Sequence, residues 1–308
     1  METFEVHAEH RTYEDAQGVT IHYTVWHAQG PRGVIQISHG VGEHARRYDE
    51  LARVLATRGF TVYADDHRGH GETWREQWAG DTTKLGKLGA GGLRATIASI
   101  AQLTQIIRDE NPGLPLVFLG HSWGSLMGQR ALDAGTLDAD AVVWSGSALR
   151  LPWTMNPGDL NAKHKHLGDT GAEWLSRDTI ITAEFRNDPL TFDAKVLKLF
   201  GLADALRLYG TPAKPKRDIP ILLLVGSDDS LGGEASVLEL LRRYLNRGYS
   251  DAQLIVYDNA RHEVYNETNR EQVRTDLVTW IEDHVFADFQ PDLGADSVVE
   301  EDNYKGDI

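Results

Sequence analysis

The sequence predicts an α/β fold: a mostly parallel eight-stranded sheet with helices on both faces and a helical segment inserted late in the chain. Two observations carry this expectation. Short apolar runs of strand length alternate with stretches of helical periodicity through most of the 308 residues, the pattern of strands joined by crossover helices. One stretch, 147–218, breaks the rhythm, with aromatic and aliphatic residues and Pro/Gly punctuation but no strand pattern.

The elements follow in order. Phe4 to Tyr13 and Val19 to His27 alternate at about period two around Asp15-Ala16-Gln17-Gly18, which predicts an opening hairpin. Val34 to Ile37 is a short buried strand running into His39-Gly40-Val41-Gly42-Glu43-His44. Tyr48 to Thr57 reads as a helix closed by Gly59, and Phe60 to Ala64 as the next strand. Leu93, Ile97, Ile100, Thr104 and Ile107 share a helix face that Asn111-Pro112-Gly113 ends. Leu116 to Leu119 is a strand, Leu126 to Ala134 a helix and Ala141 to Trp144 a strand. Pro212, Pro215 and Pro220 bring the chain back to the sheet, where Ile221 to Val225 and Leu254 to Tyr257 are strands. Val273, Leu277, Trp280 and Ile281 mark the last helix. The core is therefore expected over 1–146 and 219–287, a cap over 147–218 and an acidic tail over 288–308. Within the cap, Val196, Leu197, Phe200, Ala203 and Leu206 predict an amphipathic helix packed on the core.

Lys and Arg number 31 against 46 Asp and Glu, a net charge of −15. That excludes the cationic footprint of a nucleic-acid partner. Cysteine is absent, which excludes disulfides, a thiol nucleophile and thiolate-bound metals. No apolar run approaches the ~18 residues of a membrane span, so the expectation is a soluble, cytoplasmic protein. The 147–218 segment differs in charge, with eleven Lys/Arg against nine Asp/Glu, and its apolar and basic residues suit transient contact with a lipid surface. The tail, with seven acids and one Lys, is expected to be solvated.

The chemistry centres on Gly120-His121-Ser122-Trp123-Gly124, between a strand and a helix. G-x-S-x-G in that setting is a nucleophile elbow, whose tight turn needs small residues on either side of the serine. Ser122 needs a base, and the base an orienting acid, in the chain order Ser, Asp, His. One strand ends in Gly226-Ser227-Asp228-Asp229 and another in Arg261-His262-Glu263, so His262 is the candidate base. Asp229 is the favoured acid, with Asp228 the alternative. The backbone N–H groups of Val41 and Trp123 are candidates for the oxyanion hole. Glu43 and Asp66 read as hydrogen-bonding supports. His67, His70, His164 and His166 lie in loops with no His-Glu-x-x-His helix, so neither a metal nor a cofactor is expected.

Five motifs, His39 to His44, Asp66-His67-Arg68-Gly69-His70-Gly71, Gly120 to Gly124, Gly226 to Asp229 and Arg261-His262-Glu263, together resemble the monoacylglycerol lipase and lysophospholipase group. These are capped α/β-hydrolases, also grouped with the serine aminopeptidase-like hydrolases. Trp174-Leu175-Ser176-Arg177-Asp178 and Asn187-Asp188-Pro189-Leu190 resemble the group as well. The resemblance implies Ser122 as nucleophile, Asp229 as acid, His262 as base, Val41 and Trp123 as oxyanion donors, and no cofactor. Trp123 stands where the group often has Met, and Val41 where Ala or Leu is common, changes that reshape the acyl pocket. Trp153, Trp174 and Phe200 are the candidate substrate contacts. The expected activity is hydrolysis of a monoacylglycerol-like or other single-chain ester through an acyl-enzyme. The alternatives are an esterase, lactonase or thioesterase acting on a non-lipid small molecule, and a non-catalytic ligand-binding protein on the same fold.

Overall fold

The computed structural model describes residues 5–286; the acidic tail expected at 288–308 lies outside them. The hairpin is β1 (Ala8–Glu14) and β2 (Thr20–Trp26), paired antiparallel from Ala8↔Trp26 to Glu14↔Thr20. Its turn is set by Asp15, whose Oδ1 accepts the N–H groups of Gln17 (2.8 Å) and Val19 (3.0 Å), as an Asx turn does.

The remaining strands are β3 (Gly33–Ser38), β4 (Phe60–Asp65), β5 (Leu116–His121), β6 (Ala141–Ser145), β7 (Ile221–Gly226) and β8 (Ala252–Tyr257). They complete one eight-stranded sheet in the order β1-β2-β4-β3-β5-β6-β7-β8. β2 pairs antiparallel with β4, and every later pairing is parallel. Between them run α1 (Asp49–Thr57), α2 (Gly71–Gln77), α3 (Gly92–Glu110), α4 (Trp123–Ala134), α5 (Thr179–Asn187), α6 (Val196–Leu208) and α7 (Gly233–Arg247), and α8 (Arg270–Val285) follows β8.

Period-two alternation sorts the side chains of the central strands to the two faces. Val117 and Leu119 of β5 pack with Leu51 and Leu55 of α1 and Val273 and Leu277 of α8. Phe118 packs on the other face with Ile100 of α3, Met127 of α4 and Leu240 of α7. Each such fully buried side chain contributes roughly 1.5–3 kcal/mol, so the two layers fix which edge of the sheet the loops leave from. Helices α2, α5 and α7 go beyond the sequence expectation, although Val237, Leu240 and Tyr244 of α7 are buried at helical spacing.

The stretch between β6 and β7 holds α5 and α6 and no strand. The single amphipathic helix expected there is corrected: at Gly201 the backbone turns to φ 76°, ψ 170° and splits α6 in two. Glycine adopts that conformation without the steric cost of a side chain. The helical register does not carry across it, and Leu206, expected on the packed face, is exposed.

Candidate functional site

The parallel strands β5, β7 and β8 end at one edge of the sheet, where loops of an open α/β sheet gather ligands. Ser122 stands between β5 and α4 at φ 50°, ψ −123°, a conformation that costs an L-residue about 1–3 kcal/mol. The glycines around it are there for space. A Cβ at Gly120 would lie 2.7 Å from the Ser125 Cα, and one at Gly124 would lie 2.1 Å from the Ser38 carbonyl oxygen. The Gly40 loop rests against the same turn, with the Ser122 Cβ 3.1 Å from where a Gly40 Cβ would be. Among the described residues, no protein acceptor takes the N–H of Val41 or Trp123.

His262 comes from the loop after β8. That loop approaches the end of β7 so closely that a Cβ on Gly226 would lie 2.1 Å from the Ala260 carbonyl. His262 Nδ1 is 3.0 Å from both carboxylate oxygens of Asp229, and both side chains are buried. Nδ1 therefore carries the proton, and Nε2 is buried with no hydrogen-bond partner. Burial opposes a charged ring, but the Asp229 carboxylate outweighs it and lifts His262 above its ordinary value of 6.5. The ring of His121, the neighbour of Ser122 in the chain, lies 4.8 Å from that of His262. Burial and His262 push His121 down to about 4, so it is neutral.

Asp228 turns the other way. It pairs with Lys163 and, at 2.8 Å, with His164 Nε2, both from the inserted segment. That segment also holds the His262 loop directly. The N–H groups of His262 and Glu263 donate to the carbonyls of Trp174 (3.3 Å) and Leu175 (2.8 Å). Arg261 Nη1 donates to the carbonyls of Glu173 (2.5 Å) and Ser176 (2.9 Å). On the opposite side, Phe192 N–H donates to Gly42 O at 3.0 Å, and His44 Nε2 meets Asp188 at 2.8 Å.

Trp123 stacks on Phe200 (centroids 5.1 Å, planes 19° apart), and the Trp174 ring lies 4.7 Å from that of His262. The structure does not bring Trp153 to them: it is 78% exposed and has no ring contact among the described residues. Of the loop histidines, His67, His70 and His164 are engaged within the protein, and His166 is exposed. His67 bonds Asp65 (2.9 Å) and the Ser38 hydroxyl (3.0 Å), and His164 bonds Asp228 and the Ser230 hydroxyl (3.2 Å). Asp66 accepts the N–H groups of Ala45 and Glu72, and Glu43 that of Gly40. Arg47 and Glu263, which join this network, go beyond the sequence reading; only the charge of Glu43 hinted at a partner.

A family model described as Serine aminopeptidase, S33 matches residues 29–269. The chain belongs to that family. Among its relatives, the monoacylglycerol lipase of Mycolicibacterium smegmatis is 31% identical over 291 residues, covering 87% of this chain and 95% of the relative. The human monoglyceride lipase is 29% identical over 273 residues, 82% of this chain and 83% of the relative. A solved carboxyl esterase from Bacillus coagulans superposes with a TM-score of 0.78 at 22% identity, covering 90% of this chain and 99% of the esterase. This S33 member is thus an α/β-hydrolase of the monoacylglycerol lipase group and a serine ester hydrolase. Among its described residues, no helix is long and apolar enough to cross a membrane.

Proposed function

We propose that the protein cleaves a monoacylglycerol-like or other single-chain carboxylester through an acyl-enzyme formed on Ser122. The paired Asp229 and His262 beside a strained serine turn carry this reading. His262 Nε2 takes the Ser122 proton as the oxygen attacks the ester carbonyl, while Asp229 holds the tautomer and stabilises the imidazolium. The N–H groups of Val41 and Trp123 receive the developing oxyanion. His262 then protonates the leaving alcohol and activates the water that releases the acid.

The 147–218 segment is the proposed cap on a core of 1–146 and 219–287. It holds Trp153, Leu167, Ile180, Leu202 and Leu206 exposed, and to these residues we assign transient contact with a lipid surface. A cytoplasmic setting belongs to the same proposal and rests on the cysteine-free composition.

Hydrolysis of p-nitrophenyl esters from acetate to palmitate, alongside a monoacylglycerol, tests the reading, with a fluorophosphonate labelling Ser122. A long-chain optimum is expected. The Trp123–Phe200 stack favours a second reading, a shorter or non-lipid ester, lactone or thioester, and an acetate or butyrate optimum would select it. No turnover and no labelling would overturn both. Because His262 acts as base only when neutral, kcat/KM is expected to fall on the acid side with a midpoint above pH 6.5. A midpoint well below that value would contradict the Asp229 partnership.

A further inference from the structure

A buried ionic group joins two loops of this site. Arg47 Nη1 donates to Glu43 Oε2 (2.8 Å) and Glu263 Oε1 (2.6 Å), and Nη2 donates to Glu263 Oε2 (2.8 Å). Glu43 Oε1 accepts the Gly40 N–H at 2.5 Å and the Tyr48 hydroxyl at 2.8 Å. Phe185 of α5 covers the guanidinium, its ring centre 4.9 Å from Cζ. Arg47 thus links Glu263, the residue after His262, to Glu43, which in turn holds the N–H of Gly40, the residue before Val41.

Burying three ions is costly, and apolar residues of similar volume serve packing at least as well. A group kept only for shape has no need of charge, still less of two anions on one cation. Glu263, one of the two anions, is the neighbour in the chain of a histidine that must become cationic during the reaction. We propose that Glu43, Arg47 and Glu263 form a positioning unit, which sets the Gly40–Val41 peptide against Ser122 and, through its one excess negative charge, stabilises the His262 imidazolium. The proposal rests on the Ser122–Asp229–His262 reading.

The surroundings of His262 are consistent with this. Asp229 bonds its Nδ1, and His121, neutral, lies against its ring. The Tyr48 hydroxyl stays protonated, held well above its ordinary value by burial and Glu43. Burial would raise Glu263, but Arg47 brings it down to about 2, so it is ionised. Glu263 and Glu43 both favour the charged ring of His262.

Glu263→Gln and Arg47→Lys in the full-length protein separate charge from shape. The readouts are kcat, KM and the pH profile of kcat/KM on p-nitrophenyl butyrate, with thermal midpoints and the fraction of protein titrated by a fluorophosphonate. Glu263→Gln removes the excess charge. Its acid limb is expected to move down by roughly half a pH unit to one unit, with kcat falling about 3- to 10-fold at little change in KM. Arg47→Lys keeps the charge but loses the fork geometry, so kcat is expected to fall with the limb unmoved. If Glu263→Gln does not fold, Glu43→Gln takes its place, since a Gln carbonyl still accepts the Gly40 N–H. A well-folded, fully titratable variant with the wild-type limb and kcat overturns the proposal. So does a loss that merely tracks a smaller titratable fraction. Ser122→Ala in parallel keeps the two readings apart: activity surviving there refutes the nucleophile instead.

Discussion

Asp229→Asn is expected to lower kcat for ester hydrolysis by about 10⁴-fold, while Asp228→Asn leaves it within a few-fold. The two carboxylates are neighbours in the chain, and the structure gives them opposite surroundings. Asp229 places both oxygens 3.0 Å from His262 Nδ1, so an amide there permits the wrong tautomer and withdraws the charge that stabilises the imidazolium. Asp228 faces Lys163 and His164, where an exposed ion pair contributes about 0–1 kcal/mol. Steady-state kinetics on one p-nitrophenyl ester, with fluorophosphonate labelling to count intact serines, provides the check. Equal losses at the two positions would remove Asp229 from its role.

Gly124→Ala is the second large effect. Gly124 has no positive φ, so the substitution adds no backbone strain; it adds a carbon where there is no room. The new Cβ would meet Ser38 O at 2.1 Å and His39 O at 2.5 Å, atoms at the end of β3, a central strand. Neither is a flexible side-chain tip, so β3 and the Gly40 loop must move together. The expected cost is about 3 kcal/mol or more, read as a lower urea midpoint at unchanged m. The fluorophosphonate rate should fall as well. Gly113→Ala is the control: its φ is 79° with nothing within 4 Å of a Cβ. There only backbone strain is paid, roughly 1–2 kcal/mol, and labelling should keep its rate. Equal losses of labelling in both variants would show that space at Gly124 is not what sets the turn.

The strands, the serine turn and the chain order of the site residues are legible because each is written locally. Five buried residues in a row make a central strand, and Gly-x-Ser-x-Gly must be a tight turn wherever it follows one. Asp228 and Asp229 were separable by resemblance but not by their own surroundings, since what distinguishes them is Lys163 and His164 arriving from a segment far along the chain. The same holds for Arg47 and Glu263, whose pairing no spacing rule reports. Helix α6 illustrates the opposite failure. Its apolar residues keep a 3.6 rhythm on paper, and one left-handed glycine cancels it. Residue type alone groups Trp153 with Trp174, and packing separates them.

The hydrogen bonds that Arg261, His262 and Glu263 donate to the carbonyls of residues 173–176, and that Phe192 donates to Gly42, bear on how such an enzyme is re-engineered. The inserted segment is not a detachable module. A truncated core, or a chimaera carrying another hydrolase's whole insert, would lose the carbonyls that hold the base loop and the strap over the Gly40 loop. The piece to exchange is α6, which meets the serine turn through the stack of Phe200 on Trp123. Exchanging Val196–Leu208 alone is the route to a new acyl preference on unchanged chemistry.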